Sequence, residues 1–267
     1  MRIAVLLKQV PDTAATLKLK SDGSGIETEG LEFVISPYDE YALEEALRIK
    51  EKQGGGEILV FSLGPERSTK ALRSALALGA DKAVHLLDAA FEGSDAIATA
   101  KALAAALAKF GPFDLVLAGC VAADDGMCAV GSAVAEFLGI PQATEVKKLE
   151  LAADGKSLTC WSEVESGTAV LELPLPALLT AQKGLNEPRY ASLKGIMAAK
   201  KKELLVLKPA DLGLAAEATG TTGSRTEVLS YEPPPKKQAA GKILKDLEPA
   251  EAARELVRLL REEAKVI

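Results

Sequence analysis

The sequence predicts an α/β protein: a largely parallel, doubly wound sheet with antiparallel additions and a C-terminal arm that ends in a helix. Over residues 1–141, four apolar runs alternate with four helix-like segments, which is the order of a parallel sheet covered by helices on both faces. Short strand-like runs joined by turn residues follow over residues 146–182. A stretch rich in Gly, Thr and Pro then precedes an amphipathic segment at residues 248–265.

The elements of the first half have clear boundary signals. Ser36 suits the N-cap of a helix and Pro37 suits its first turn, while Gly54-Gly55-Gly56 ends it. Gly79 suits the position that follows the next helix. The other elements predicted here are strands over residues 2–10, 58–63, 83–87 and 115–118, a hairpin with strands over residues 17–20 and 26–35, and helices over residues 95–109 and 127–138.

The second half predicts short strands that extend the sheet, followed by an arm. Asp154-Gly155 and Ser166-Gly167 are typical hairpin turns, so antiparallel strands are expected on either side of them. These strands are predicted over residues 146–151, 157–162, 169–173 and 178–182, with one more over residues 204–207. The composition of residues 208–241 is typical of a linker. We therefore expect an α/β domain over residues 1–207 and an arm with a final helix over residues 208–267.

Composition narrows the class of function. The formal charge of −6 argues against nucleic-acid binding, which needs a basic surface. Three cysteines without a CxxC pair fit a reducing compartment, so we expect a cytoplasmic protein. No apolar run approaches the length of a membrane helix, and the N-terminal one is too short for a signal peptide. The single histidine, His85, lacks partners at metal-ligand spacing, so we expect neither a metal site nor a catalytic role for it.

The turns at the carboxyl ends of the parallel strands are the expected ligand site, because open sheets of this Rossmann-like type bind ligands there. These turns are residues 8–13, 36–39, 63–65 and 119–130. The last is rich in small residues that permit close backbone approach, and the helix after it offers free amides to a phosphate. Its two acidic residues, Asp124 and Asp125, suit ribose hydroxyls or a helix cap. From these residues alone, a capped turn and a nucleotide site remain equally good interpretations.

A long irregular segment interrupts the regular pattern at Leu185-Asn186-Glu187-Pro188-Arg189-Tyr190-Ala191-Ser192-Leu193-Lys194-Gly195-Ile196-Met197-Ala198-Ala199-Lys200-Lys201-Lys202. A short helix over residues 195–202 is expected near its end. Leu193, Ile196 and Met197 have i, i+3, i+4 spacing, so they would share one face. A surface loop closed by an ordinary helix start would explain the same pattern.

This segment closely resembles the recognition loop of electron-transfer flavoprotein β subunits, and the resemblance extends over essentially the whole chain. It implies that residues 184–202, here called the recognition segment, dock acyl-CoA and related dehydrogenases. Leu193 matches the residue that the family presents to its partner, and Tyr190, Ile196 and Met197 would join it. The resemblance further implies a non-enzymatic electron carrier of fatty-acid oxidation that passes electrons to a quinone reductase.

The same resemblance implies cofactors and a partner chain. FAD would be held mainly by an α subunit in a heterodimer, with Thr13 and Glu163 contacting the flavin-bearing domain. A structural AMP would lie in the strand-end pocket. Its implied contacts are Leu6, Ser36, Pro37, Tyr38, Asp39, Leu63, Gly119, Cys120, Val121, Ala122, Ala123, Asp124, Asp125, Gly126, Met127, Cys128, Ala129 and Val130.

The pocket segment departs from the family pattern, because Val121 and Ala129 stand where glutamines are common. Fewer side-chain hydrogen bonds to a nucleotide are therefore expected. This leaves open AMP, a second FAD that oxidises NADH, as in electron-bifurcating members, or an emptier pocket. A nucleotide-binding protein of the universal-stress type, as a homodimer without FAD, is the alternative from another class. Cys120 and Cys128 are expected to act as small hydrophobic residues more than as redox groups.

Overall fold

The computed structural model describes residues 1–235 and 241–267 of the chain. Eleven strands are formed in the described part: β1 (Arg2–Leu6), β2 (Gln9–Pro11), β3 (Phe33–Ile35), β4 (Glu57–Leu63), β5 (Lys82–Leu86), β6 (Leu115–Gly119), β7 (Gln142–Leu151), β8 (Ser157–Val164), β9 (Gly167–Pro174), β10 (Ala177–Ala181) and β11 (Leu204–Leu207). The helices are α1 (Pro37–Lys52), α2 (Thr69–Leu78), α3 (Ala96–Phe110), α4 (Val130–Leu138), α5 (Leu193–Ala199), α6 (Gly220–Gly223) and α7 (Pro249–Glu262).

Nine strands form one sheet in the order β11-β5-β4-β1-β6-β10-β7-β8-β9. Every neighbouring pair is parallel except the two pairs that β8 makes with β7 and β9. The predicted α/β class with a largely parallel sheet is confirmed. From β1 the chain steps outward through β4 to β5, then returns to β6 on the other side of β1. The β1–β6 boundary is therefore the point where strand order reverses.

Helices cover both faces of the sheet, as the alternating pattern predicts. Ile3 and Val5 of β1 pack with α1 and α2 in one buried cluster, while Ala4 and Leu6 pack with α3 and α4 in the other. Successive side chains of a strand point to opposite faces, so β1 contributes to both clusters. The two clusters hold the carboxyl ends of the central strands in fixed positions.

The predicted strand over residues 2–10 is wrong in its second half. The chain leaves the main sheet after Leu6, and Gln9–Pro11 pairs instead with Phe33–Ile35 in a separate antiparallel ribbon. The apolar character of Val10, which is fully buried, made the run look continuous. The predicted hairpin around Asp22 keeps its turn, with the Lys20 amide donating to the Gly25 carbonyl oxygen at 2.9 Å, but its second strand is reduced to Phe33–Ile35.

The predicted antiparallel strand over residues 178–182 is instead the parallel strand β10. It lies between β6 and β7 and is parallel to both. All five of its residues are buried, and such a continuous apolar run is typical of a parallel strand covered on both faces. Helix α4 begins at Val130, three residues later than predicted, because Gly126 and Cys128 have left-handed φ values of 65° and 52°.

Residues 209–226, which the composition assigns to a linker, contain ordered turns. Asp95, the N-cap of α3, accepts hydrogen bonds from the amides of Arg225 and Thr226 at 2.6 and 3.0 Å. The Gly220 amide donates to the Ser94 hydroxyl. Side chain to backbone bonds of this kind substitute for a regular element. Part of the linker expected over residues 208–241, namely residues 236–240, lies outside the described residues.

Two compact units are present, residues 1–18 with 26–229 and residues 19–25 with 230–267. The second contains α7, where Arg258 pairs with Glu255 and Glu262 along the helix surface. The sequence predicts an apolar stripe of Ala252, Leu256, Leu259, Leu260 and Ala264. Leu256 is exposed and Leu259 and Leu260 are partly buried, while Ala264 lies beyond the end of α7. Among the described helices, none has the length and apolar character needed to cross a bilayer.

Candidate functional site

Three of the predicted site residues lie where neighbouring central strands end. Leu6 is the last residue of β1, Leu63 of β4 and Gly119 of β6. Because β1 pairs with both β4 and β6, these ends meet at one edge of the sheet. The amide of Leu7 donates to the carbonyl oxygen of Phe61 at 2.8 Å, which holds the chain leaving β1 against β4. This edge is also the switch point at which an open α/β sheet binds ligands.

Asp39 joins three of the elements at this edge. It lies in the first turn of α1 and is buried. One carboxylate oxygen accepts from the Lys8 amide at 2.7 Å and the other from the Gly119 amide at 2.9 Å. The end of β1, the start of α1 and the end of β6 are therefore held together by one side chain. Because both side-chain oxygens of Asp39 accept from backbone amides at the ends of different strands, this brace fixes the shape of the edge.

Lys8 connects the same brace to the predicted nucleotide loop. Its ammonium donates to Asp124 Oδ1 and Asp125 Oδ2, both at 2.7 Å. Burial opposes the charge of Lys8, but these two carboxylates raise its pKa above the ordinary value. The loop aspartates are poor neighbours for a phosphate, and Lys8 neutralises them in part. We call Lys8, Asp39, Gly119, Asp124 and Asp125 the strand-end cluster.

The side chain of Lys8 is a part of the site that sequence reasoning missed. Its turn was singled out, but no role was given to the lysine. A signal was available, because Lys8 is the first charged residue after a buried strand and an aspartate pair follows another strand of the sheet. Opposite charges at the ends of neighbouring parallel strands are expected to meet.

The loop between β6 and α4 fits a nucleotide in part. Residues 123–128 are exposed, and the Met127 amide donates to Asp125 Oδ1 at 3.0 Å. Gly131 lets α4 lie close to the sheet, since a Cβ there would be 2.7 Å from Thr180 Cγ2. The free amides at the start of α4 are thereby held beside the cluster.

Ser36 offers a polar group with no visible use inside the protein. It occupies the N-cap position of α1, but its hydroxyl makes no capping bond, contrary to the predicted role. Ser36 is fully buried, and its Oγ has no hydrogen-bond partner among the described residues. Buried polar atoms are nearly always paired, so a ligand hydroxyl or a water is the expected partner. Pro37 and Tyr38 follow it at the start of the same helix.

Asp39 is expected to give the protein a pH-dependent stability. Burial raises the pKa of its carboxyl to about 7, against the opposing effect of its two amide hydrogen bonds. The folded state then binds this proton more tightly than the unfolded chain, whose aspartate has a pKa of about 3.9. The contribution of Asp39 to stability therefore declines as pH rises from about 4 to about 7, and is constant above.

The variant Asp39→Asn should lack this pH dependence. Thermal unfolding of the purified native assembly at pH 5, 6, 7 and 8 would measure it. We expect the stability of the wild type relative to Asp39→Asn to fall from pH 5 to pH 7 and to level off towards pH 8. A relative stability that rises with pH would contradict the assignment.

The cysteines and the histidine have structural environments. Cys120 is buried, and burial raises the pKa of its thiol to about 12, so it is a neutral thiol at physiological pH. Cys128 is exposed in the loop. His85 is fully buried, with Nε2 3.0 Å from the Gly64 carbonyl oxygen, and burial lowers its pKa. His85 thus supports the turn after β4.

The recognition segment lies on α1 and α2, away from the strand-end cluster in sequence and in its contacts. Asn186 donates to the Tyr41 carbonyl oxygen at 3.0 Å and to Glu45 at 2.9 Å. Arg189 pairs with Glu44 and also with Glu51, which lies about two turns further along α1. The chain before α5 is therefore tied to a helix of the core domain.

Helix α5 is short, capped at its start by its own chain and fastened to α2 at its C-terminal end. Ser192 caps it by accepting from the Gly195 amide at 3.1 Å. Arg73 of α2 donates to the carbonyl oxygens of Ala199 and Lys202, both at 2.8 Å. Lys202 in turn donates to the last carbonyls of α2. The lysine run therefore includes a structural helix cap and not only solvated charges.

The residues predicted for docking are exposed together. Tyr190 is 97% exposed, Leu193 81%, Met197 70% and Ile196 46%. We call these four the apolar patch. Large apolar side chains at such exposure, on a segment held by so many hydrogen bonds, are typical of an interaction surface. Thr13 and Glu163 lie elsewhere: Thr13 in the turn after β2, and Glu163 near the end of β8, where it pairs with Lys147 at 2.6 Å.

Comparison with known proteins supports the resemblance. A family model for the electron transfer flavoprotein domain matches residues 24–212. The electron transfer flavoprotein subunit beta of Bacillus subtilis (strain 168) is 42% identical over 268 residues, which cover 100% of both chains. That of Mycobacterium tuberculosis (strain ATCC 25618 / H37Rv) is 42% identical over 245 residues, 90% of this chain and 91% of the relative. A caffeyl-CoA reductase-Etf complex subunit, CarD, of Acetobacterium woodii is 40% identical over 263 residues, 98% of each chain.

Proposed function

This chain belongs to the electron transfer flavoprotein β-subunit family, and from that premise we propose that it is the β subunit of a heterodimeric electron carrier. FAD, held mainly by the α subunit, supplies the redox chemistry when bound. The complex accepts electrons from acyl-CoA and related dehydrogenases and passes them to a quinone reductase. The β subunit itself catalyses no reaction: it docks the donor, holds a nucleotide and forms one wall of the flavin cleft.

The apolar patch is the observation that carries the docking role. Its four side chains lie within eight residues of the chain, on a segment fastened to both α1 and α2. Exposing this apolar surface is unfavourable in water, and a partner that covers it gains the free energy of burial. A dehydrogenase with an apolar pocket is the partner this surface fits.

Replacing Leu193 by alanine should weaken docking without changing the fold. Leu193 is 81% exposed, so the substitution creates no cavity. Central apolar anchors of interfaces contribute about 1–3 kcal/mol, which corresponds to a rise in KM of about 5- to 150-fold. We expect this rise in KM for the purified heterodimer as acceptor of an acyl-CoA dehydrogenase, with FAD content and Tm unchanged.

Leu17→Ala is the matched control, because Leu17 is 52% exposed and lies outside the recognition segment. It should leave the KM of the wild type unchanged. If Leu193→Ala has wild-type KM and kcat with every donor tested, the docking role is wrong.

The strand-end cluster is proposed to hold AMP as a structural group. The start of α4 would bind the phosphate, with Ser36, Pro37 and Tyr38 at the start of α1 as neighbouring contacts. Lys8 offsets the charge of Asp124 and Asp125, which are then free to accept from ribose hydroxyls. Leu6 and Leu63 supply apolar surface at the neighbouring strand ends. The tight contacts at Gly119 and Gly131 keep this edge in shape.

A second FAD in the same place is the other candidate. The small residues Ala122, Ala123 and Gly126 favour it, since they permit close approach of a bulkier group than AMP. A relative of similar identity is named as a subunit of a caffeyl-CoA reductase complex, so family members also serve in reductase assemblies. In that case the heterodimer would oxidise NADH with the additional flavin.

Nucleotide content decides between the two. The purified heterodimer is denatured, and the released nucleotides are identified and counted by mass spectrometry. One FAD and one AMP per heterodimer support the carrier, and two FAD support the bifurcating enzyme. Release of FAD without any adenine mononucleotide or second flavin would contradict both assignments of the cleft.

The remaining contacts proposed with the α subunit are those that membership of the family implies. We propose that Thr13 and Glu163 face the flavin-bearing domain of the α subunit. The exposed stripe of α7, with Leu256 and Val257, is proposed to pack on the α subunit. An amphipathic helix with so much exposed apolar surface needs a covering surface, and the obligate partner supplies one.

A further inference from the structure

An arginine and two carboxylates form a clamp immediately before the apolar patch. The guanidinium of Arg189 binds both carboxylate oxygens of Glu44: Nε donates to Oε2 at 2.8 Å, and Nη2 donates to Oε1 at 2.9 Å. It also donates to Glu51 at 3.0 Å. Glu44 and Glu51 are seven residues apart on α1, so they lie on one face of the helix, two turns apart. A single side chain thus bridges two turns of α1.

The inner half of this clamp is strongly desolvated. The side chain of Glu44 is only 6% exposed, whereas that of Glu51 is 59% exposed. A buried carboxylate requires a well-oriented partner, and the planar guanidinium supplies two parallel donors. Hydrogen bonding to Arg189 lowers the pKa of Glu51, which keeps the outer carboxylate ionised as well.

The clamp fixes the path of the chain at the residue immediately before the apolar patch. Pro188 precedes Arg189, and Tyr190 follows it with 97% of its surface exposed. Asn186, on the other side of the proline, is also bound to α1. Both ends of this short stretch are therefore tied to one rigid helix, and the patch begins at the next residue.

We propose that Arg189 is a positioning residue for dehydrogenase docking: its clamp to Glu44 and Glu51 pre-orients Leu193 and the rest of the apolar patch before the partner arrives. This inference rests on the proposed docking function. Arg189 acts through the patch and its guanidinium is already committed to α1. Ordering the segment in advance removes an entropy cost that binding would otherwise carry, so affinity for the partner depends on the clamp.

The variant Arg189→Lys separates charge from geometry. A lysine ammonium keeps the positive charge beside Glu44, which avoids an unpaired buried carboxylate, but it cannot bridge two carboxylates as a planar fork does. We expect KM of the heterodimer for an acyl-CoA dehydrogenase to rise about fivefold with kcat unchanged, the signature of weaker association alone. Amide hydrogen exchange of residues 187–199 should become faster, and nucleotide and FAD content should not change.

A double-mutant cycle with Leu193→Ala tests whether the clamp acts through the patch. In the Leu193→Ala background, Arg189→Lys should change KM by less than about twofold, because coupled residues are not additive. Arg225→Lys is the matched control, since Arg225 is exposed, lies outside the recognition segment and bonds to Asp95 through its backbone amide. It should leave KM and hydrogen exchange at wild-type values.

The outcomes are distinguishable. If Leu193→Ala raises KM and Arg189→Lys does not, the clamp inference is wrong and the docking function stands. If the two effects on KM are additive, Arg189 acts independently of the patch and the inference is overturned. If Leu193→Ala has no effect, the docking function itself fails, whatever Arg189→Lys does.

Discussion

Replacing Gly195 by alanine should detach α5 from α2 and abolish most of the docking affinity. A Cβ at Gly195 would overlap the backbone carbonyl oxygen of Ala77, and a backbone atom cannot move aside as a flexible side chain can. The helix must shift or unfold, which breaks the bonds from Arg73 to its last carbonyls. We expect a rise in KM for the dehydrogenase of more than about tenfold, since the whole patch is displaced.

Whether Gly195→Ala weakens or strengthens docking shows which of two effects dominates, the steric overlap with Ala77 or the higher helix propensity of alanine. If only intrinsic helix propensity mattered, alanine would stabilise α5 by about 0.5–1 kcal/mol relative to glycine and would improve docking. Amide hydrogen exchange of residues 193–202 reports on how firmly α5 packs against α2, and it should become faster in Gly195→Ala. Gly25→Ala is the control, because a Cβ there meets nothing within 4 Å. Slower exchange in Gly195→Ala than in the wild type would show that the contact with Ala77 is not limiting.

The sheet and its helices could be predicted because their signals are local. Apolar runs, caps and terminating glycines placed α1, α2 and α3 to within a few residues of where they lie. The exceptions occur where pairing is decided over long distances. Gln9–Pro11 pairs with Phe33–Ile35, and β10 enters between β6 and β7, neither of which a local pattern specifies. Register and neighbours depend on tertiary packing, which overrides local propensity.

The candidate site was predictable to a different extent in its two parts. The strand-end turns follow from topology, so Asp39, Gly119 and the loop with Asp124 could be placed at one edge from the sequence. The bonds that join them could not, because each connects residues far apart in the chain. Arg189 and Glu44 illustrate this limit: 145 positions separate them, and nothing near either residue indicates the other.

Replacing Gly119 by alanine should collapse the strand-end cluster. A Cβ at Gly119 would lie 2.5 Å from Asp39 Oδ1 and 2.8 Å from the carbonyl carbon of Tyr38. Both are much closer than contact distance, and both belong to the rigid first turn of α1. The hydrogen bond from the Gly119 amide to Asp39 would be lost, and the start of α1 would be pushed away from β6. Overpacking costs about 1–3 kcal/mol, and losing a hydrogen bond to a charged group costs about 1.5–3 kcal/mol. At pH 8, where the Asp39 carboxyl is ionised, we therefore expect a loss of about 2.5–6 kcal/mol in the free energy of unfolding.

The expected consequence for function is loss of the adenine nucleotide with the docking surface intact. The strand-end cluster is bonded to the first turn of α1 through Asp39, whereas the recognition segment is held mainly by bonds to Glu44 and Glu51 further along the helix. Mass spectrometry of the purified heterodimer should show less bound nucleotide than in the wild type, because each loss of about 1.4 kcal/mol in binding free energy lowers the affinity tenfold. Gly55→Ala, where a Cβ meets nothing within 4 Å, should retain wild-type content and stability. Full nucleotide content in Gly119→Ala would mean that the nucleotide lies elsewhere, because a ligand at this edge cannot be indifferent to a displaced α1.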